Sequence, residues 1–239
     1  MSRKSRASRK QSAKEPGKAK RYYEAARVDR LSAEWVMSHQ TADRDIQAGL
    51  KTIRSRSRDL EQNNDWVRRY FGMLEANVVG SGFVLTLPGI EKTKARKIIS
   101  AFTAWLDQAD VTGQLGKADV ERMILRTTGR DGETIIRKIR GGNYLDGLAL
   151  QLLESDYLDE NDTREIRGGN RTIMGVEKNA LGQPVGYRMF EKHPGDSPSG
   201  ISTRTVTIPA EEIIHVFRPE RPGQTRAVSW LASSMKSLR

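Results

Sequence analysis

The sequence predicts an α+β chain in which helices come first and mostly antiparallel strands follow. Two observations carry this. Apolar residues recur every three to four positions up to about residue 130, and beyond it the period shortens to that of strands, with apolar runs set in pairs around Gly- and Asn-bearing turns. A third observation, charge, sets off the N-terminus. Residues 1–21 hold nine Lys and Arg against Glu15 alone, which places +8 of the net +11 there and +3 in the remainder. The chain accordingly divides into a basic tail over 1–21, a mainly helical region over 22–130, a β-rich region over 131–226, and the start of a helix over 227–239.

The tail is rich in Ser, Lys and Arg and nearly without apolar residues, so it cannot offset the entropy of ordering and is predicted to be disordered. Arg3, Lys4, Arg6, Arg9 and Lys10 suit weak, salt-screened contacts with nucleic-acid phosphates or another acidic surface.

From Asp43 to Gln62, Ile46, Leu50, Ile53 and Leu60 form one helical stripe, while Arg54 and Arg58 share a face one turn apart. Asn64 can cap the next helix, in which Trp66, Tyr70, Leu74 and Val78 recur every four residues beside Phe71 until Gly80-Ser81-Gly82 ends it. The two helices are expected to pack as a hairpin with Trp66, Tyr70 and Phe71 in the core. On that reading Trp66→Ala and Trp105→Ala each cost about 3 to 5 kcal/mol. After a short apolar segment, Phe83–Leu87, a third helix is signalled by Ala95, Ile98, Phe102, Trp105 and Leu106. A fourth follows with Val120, Met123 and Ile124, capped near Gly116.

Residues 133–140 and 148–153 then flank the Gly141-Gly142-Asn143 turn, and 171–178 and 184–192 flank 179–183, which predicts two β-hairpins. A further strand, Arg204–Ile208, precedes Pro209. The run Ile213–Phe217 is a last short strand. It stops at a loop in which Pro219 and Pro222 lack the N–H a central strand needs and Gly223 permits a turn. That loop, with Arg218, Glu220, Arg221 and Arg226, reads as charged, stiff and exposed, which suits an intersubunit or interdomain contact. From Ala227 a helix is expected whose stripe of Val228, Leu231 and Met235 has nothing to cover it. The 239-residue chain is therefore expected to be a monomer or an ill-defined oligomer.

Length allows one or two domains and a sizeable core, although 36% hydrophobic residues is low. Zero cysteines exclude disulfides and thiolate sites. No apolar run approaches a membrane span, and the N-terminus has no secretory h-region. Gly80-Ser81-Gly82 lacks a third glycine and follows a helix, so it is no dinucleotide fingerprint. His39, His193 and His215 lie far apart and read as surface or cap residues rather than metal ligands, with His193 and Asp196 the nearest pair. Glu154, Asp156, Asp159, Glu160 and Asp162 lack the ligand pattern of a calcium loop and read as a solvated turn. No Ser/His/Asp grouping can be assembled, so no catalytic residue, cofactor or metal is assigned.

The stretch from His215 to Trp230, H-V-F-R-P-E-R-P-G-Q-T-R-A-V-S-W, resembles the signature H-x-F-R-P-E-R-P-G-Q-x-R-G-V-P-W of lambda-type bacteriophage portal proteins. Ala227 and Ser229 depart from its Gly and Pro. Other pieces agree in order: Arg54–Asp59 followed by Asn63-Asn64, Asn77–Gly82, Asp131-Gly132-Glu133, Gly175-Val176-Glu177 and Leu181–Tyr187. The resemblance covers about residues 20–239.

It implies a non-enzymatic structural subunit of the head-tail connector ring, usually twelve-fold. Double-stranded DNA would pass through its channel without sequence specificity. Terminase, capsid and head-tail connector proteins would be its partners, with no membrane involved. Such a subunit would reside in the bacterial cytoplasm during assembly and then at the portal vertex of the virion. Residues 22–239 would correspond to the wing and part of the body, ahead of the stem and crown helices, as in a fragment or a truncated prophage copy. A rival reading is a stand-alone basic nucleic-acid-binding module using the tail and Arg54, Arg56 and Arg58. A metal-dependent nuclease built on the acidic run is a third.

Overall fold

The computed structural model describes Arg30, Glu34 and residues 39–166, 168–196 and 204–239. The basic tail, with Arg3, Lys4, Arg6, Arg9 and Lys10, lies outside the described residues. Met1–His39 and Gln40–Arg239 form separate units, and the second contains every element below.

Helices do come first. The first, α1 (Ala42–Asn63), starts where the Thr41 hydroxyl accepts the N–H of Arg44, with Asp43 and Asp45 at its positive end. Its inward face carries Leu50 and Leu60 together with Arg54, Ser57 and Glu61, so half of the stripe that meets the core is polar. One residue makes the corner to α2 (Asp65–Val78). The Asn64 N–H closes α1 on the Leu60 carbonyl, and its side-chain oxygen accepts from Trp66 and Val67 at 3.0 and 3.2 Å. Two more helices follow, α3 (Lys92–Leu106) and α4 (Lys117–Asp131), the latter capped at Gly116 as its sequence suggested.

α4 ends at Gly132, whose φ of +95° is left-handed. Glycine is required there for a second reason. A Cβ would fall 2.4 Å from the Val228 carbonyl carbon and 2.6 Å from the Ala227 oxygen.

Gly132 leads directly into β1 (Glu133–Arg140), which pairs antiparallel with β2 (Leu148–Leu153) in the expected hairpin, Ile135 opposite Leu153. A second, five-stranded antiparallel sheet runs in chain order: β3 (Arg164–Glu165), β4 (Arg171–Ile173), β5 (Val176–Lys178), β6 (Pro184–Phe190) and β7 (Thr205–Pro209). The strand expected over 171–178 is thus two strands. Met174 and Gly175, at φ +46° and +82°, form a two-residue turn between Ile173 and Val176. Methionine is a rare occupant of that conformation, so the turn is invisible in sequence. Strand β8 (Ile213–Phe217) returns to the first sheet and completes the order β2-β1-β8, His215 opposite Ile135.

Two apolar clusters hold the unit. Ile135 and Ile213 from the three-stranded sheet meet Val176, Tyr187, Met189 and Ile208 from the five-stranded one, with Leu158 between them. The other cluster joins Leu60, Val67 and Phe71 to Leu231 and Met235.

This second cluster corrects two expectations. The segment from Ala227 forms turns followed by the single-turn α5 (Met235–Leu238), and Leu231 and Met235 are covered by α1 and α2 rather than bare. Helix α2 also buries only part of what was predicted, Phe71 but neither Trp66 nor Tyr70. Val67 and Phe71 point inward, whereas Trp66 is 76% and Tyr70 43% exposed. A four-residue period fixes a stripe on a helix, but α2 has two such stripes and only one is packed.

Candidate functional site

The signature stretch folds back across the unit and ties its elements together through buried charge. Its centre is Glu133, the first residue of β1, held where α4, β1 and β8 converge. The Arg226 Nε donates to the two Glu133 oxygens at 2.7 and 2.9 Å, and both side chains are fully buried. The other Arg226 nitrogens donate to the carbonyls of Met174, in the β4–β5 turn, at 2.9 Å and of Ser155 at 3.0 Å. A planar fork of donors suits this arrangement better than a lysine could. His215 Nε2 lies 2.9 Å from Glu133 Oε2, and Arg54 of α1 approaches Oε1 at 3.5 Å. Burial alone would raise the Glu133 carboxyl. The charge of Arg226 and the hydrogen bond of His215 outweigh it and hold the group far below the usual carboxylate range.

Beside this centre the pairing continues as a seam. Arg54 donates to Asp156 Oδ1 at 3.1 Å, and Arg58 donates to Asp156 Oδ2 at 2.6 Å and to both Asp131 oxygens at 2.8 and 3.0 Å. Arg130 and Arg126 extend it to Glu61 and Glu75. Asp156 would also be raised by burial, and the two arginines hold it down instead.

The loop between β8 and α5 is secured at its base. The Thr225 N–H and hydroxyl both donate to Asp43 at 2.7 Å, and Lys178 Nζ donates to the Thr225 hydroxyl at 2.7 Å. Arg221 donates to Asp45 at 2.7 Å and to the Gln40 carbonyl at 3.0 Å. The Ser229 hydroxyl lies 2.9 Å from that of Ser57, and the Trp230 N–H donates to Gly129.

Of the four loop residues singled out from sequence, Arg218, Glu220 and Arg221 are exposed as expected. Arg226 is not on the surface. It is the largest fully buried side chain among the described residues, because its charge is neutralised by Glu133 rather than by solvent. His215, read as a surface or cap residue, is likewise buried on Glu133, its side chain only 5% exposed.

The arginine cluster of α1 is also reassigned. Arg54 is 2% exposed and Arg58 is held by Asp131 and Asp156, which leaves Arg56 as the exposed member of the three and dissolves the basic face expected on α1. Within the acidic run Asp156 pairs with both arginines, Glu160 with Arg54 and Glu154 with Arg58, so the run is in part a set of ion-pair partners and not simply a solvated turn. Glu154, Asp156 and His193 bring possible ligand atoms within 4.8 Å of one another, but Arg54 and Arg58 already occupy both Asp156 oxygens. What these groups do is hold α1, α4, β1, β8 and the β4–β5 turn in one arrangement.

Sequence reasoning named Ser57, Asp131 and Glu133 only as parts of the resembling pieces and assigned them no partner, and it missed Asp43. A signal existed for one residue: Arg54 interrupts the Leu50–Ser57 side of the helical stripe at core spacing, where a charge requires a buried partner.

Comparison with known proteins gives these ties a context. Residues 28–239 match the family described as phage portal protein, lambda family. A probable portal protein of Halomonas phage phiHAP-1 is 30% identical over 230 residues, which are 91% of this chain and 44% of that protein. The chain therefore spans less than half the length of the relative it matches. With every described residue inside the matched range, the chain belongs to the lambda family of phage portal proteins.

Proposed function

We propose that the chain is the wing and body part of a portal subunit, one copy among those that form the ring at a single capsid vertex. The ring, usually twelve-fold in the family, is passed by double-stranded DNA without sequence specificity. It meets the terminase, the capsid and the head-tail connector proteins, assembling in the host cytoplasm before it becomes part of the virion. The role is structural, and a separate ATPase would supply the energy of packaging. No helix among the described residues is long and apolar enough to cross a membrane.

One observation carries the reading. The portal signature at 215–230 is bonded side chain by side chain to residues 43, 57, 133, 155 and 174, so signature and remainder form one folded body. The Lys and Arg of residues 1–21 would add weak, salt-screened contacts to phosphate. Immunogold labelling of particles from the producing host tests the proposal. One labelled vertex per particle is expected; label spread over the shell, or found only outside particles, would overturn it.

A further inference from the structure

Between α4, β2 and the loop that joins α3 to α4 opens a cleft of about 340 Å³. That is within the roughly 300–1,000 Å³ of small-molecule sites. The Leu150 N–H donates to the Ala109 carbonyl at 2.6 Å and the Val111 N–H to the Leu150 carbonyl at 3.0 Å, which lays the loop along β2 before Gly116 carries it into α4. Leu115, Met123, Leu152 and Leu153 give the cleft apolar walls.

Two polar side chains in the lining are more than nine-tenths buried and keep an atom unused. The first is Asp110, 5% exposed. Its Oδ2 accepts the Thr112 hydroxyl and the N–H groups of Gln114 and Leu115, the last two at 3.1 and 3.2 Å, and Oδ1 accepts none of them. Burial would raise this carboxyl, but hydrogen bonds from Thr112, Gln114 and Leu115 outweigh it and hold the group below the usual carboxylate range, so it is charged at neutral pH. The second is Thr127 on α4, 6% exposed, whose hydroxyl has no partner among the described residues. That hydroxyl is not sealed from solvent either, so it opens on the cleft that Thr127 lines.

Charge decides what the cleft can hold. Arg58 and His193 both lie 3.3 Å from Glu154 Oε2, which leaves Oε1. The cation in the lining, Arg130, has its guanidinium on Asp131 and Glu61 and answers neither Asp110 nor Glu154. An anion would therefore meet two carboxylates and no unpaired cation. A single metal ion cannot use both carboxylates, because Asp110 is bridged to Leu150 and Glu154 lies four residues on, about 13 Å along the strand direction. Leu152 and Leu153 run between them. The lining thus suits a positive charge at each end of an apolar stem.

We propose that the cleft binds a linear aliphatic diamine, one ammonium on Asp110 and the Thr127 hydroxyl, the other on Glu154, and the methylene chain against Leu152 and Met123. A lysine side chain from a partner would bring one ammonium only and leave Glu154 Oε1 unanswered. Bound there, the diamine bridges the loop, α4 and the end of β2. The site lies inside one folded unit, so this assignment stands apart from the portal reading, and vertex labelling bears on that reading alone.

The full chain titrated calorimetrically with putrescine at constant ionic strength is expected to bind one equivalent. A formal net charge of +11 disfavours loose association of a cation, so a saturable signal marks a site. Butylamine, with a single ammonium, and ethylenediamine, too short for both carboxylates, should each bind about tenfold more weakly or worse. Thr127→Val keeps the side-chain shape, removes the hydroxyl and should weaken putrescine by about tenfold. Met123→Lys, at a position 40% exposed, hangs a competing ammonium over the cleft and should weaken it at least as much. Melting without ligand confirms that each variant folds, and if Thr127→Val does not, Met123→Lys still decides. No saturable binding overturns the assignment. Unchanged affinity in a folded variant does so too, since the amine would then sit elsewhere, and so does butylamine binding as tightly as putrescine.

Discussion

The seam around Glu133 and the helix α3 show two uses of the same charge-rich composition. In the seam, Glu133 and Arg226 are fully buried and joined by short hydrogen bonds, and α1, β8, the β4–β5 turn and the turn at Ser155 all reach these two side chains. Along α3, Lys92, Lys94, Arg96 and Lys97 face solvent and Leu106 is the helix's one buried residue. Its side-chain anchor is the Trp105 indole N–H, 2.7 Å from the Leu148 carbonyl. Charge removed from water must be paired, and pairing several segments on one carboxylate leaves them a single arrangement. Charge left in water imposes no such condition, so the exposed cations of α3 do nothing to fix its place and that falls to Trp105 and Leu106.

The comparison can be broken most directly at Glu133. Glu133→Ala strands Arg226 in the interior and weakens the hold on Arg54, and it is expected to cost about 3 to 5 kcal/mol in urea melts. A loss below about 1 kcal/mol would mean that the seam does not organise the unit. Gly132→Ala tests the same junction through the backbone, where a Cβ meets the chain at 227–228 and φ is positive. About 2 to 4 kcal/mol is expected from strain and overlap.

Acid should sharpen the contrast. The folded Glu133 carboxyl titrates below its unfolded value of about 4.3, so its contribution is complete above that pH and is lost progressively as pH falls beneath it. Stability measured from pH 7 to 3 should fall more steeply in the parent chain than in Glu133→Gln; parallel curves would contradict the assignment.

Effects at the periphery are smaller. Trp105→Phe removes one hydrogen bond and should cost about 1 kcal/mol. Amide exchange should then quicken over 92–106 and stay unchanged in β1. Trp66→Ala should cost less than about 0.5 kcal/mol, because the ring is largely in water. A loss of 3 kcal/mol there would restore it to the core, where its spacing alone had placed it.

Much of the fold was legible. Caps such as Asn64 and Gly116 and the Gly141–Asn143 turn are local chemistry, and local chemistry is written in adjacent residues. The side of α2 that faces inward was legible only at Phe71. Val67 and Phe71 win over Trp66 and Tyr70 only because Leu231 and Met235, more than 150 residues away, arrive on that side. The site divides in the same manner. The outer loop follows from its prolines and charges, whereas the burial of Arg226 depends on Glu133, 93 positions earlier, and no periodicity links the two.

The Ser57–Ser229 contact has a consequence for descent. Ser229 stands where the signature carries proline, and its hydroxyl meets that of Ser57, the Gly129 carbonyl and the Leu231 N–H, all buried. Proline has no hydroxyl to offer. A lineage with proline at 229 would strand the Ser57 hydroxyl without its partner, and selection would then favour alanine or glycine at 57. Two positions 172 residues apart are in this sense one heritable character, expected to change in step as the gene diversifies.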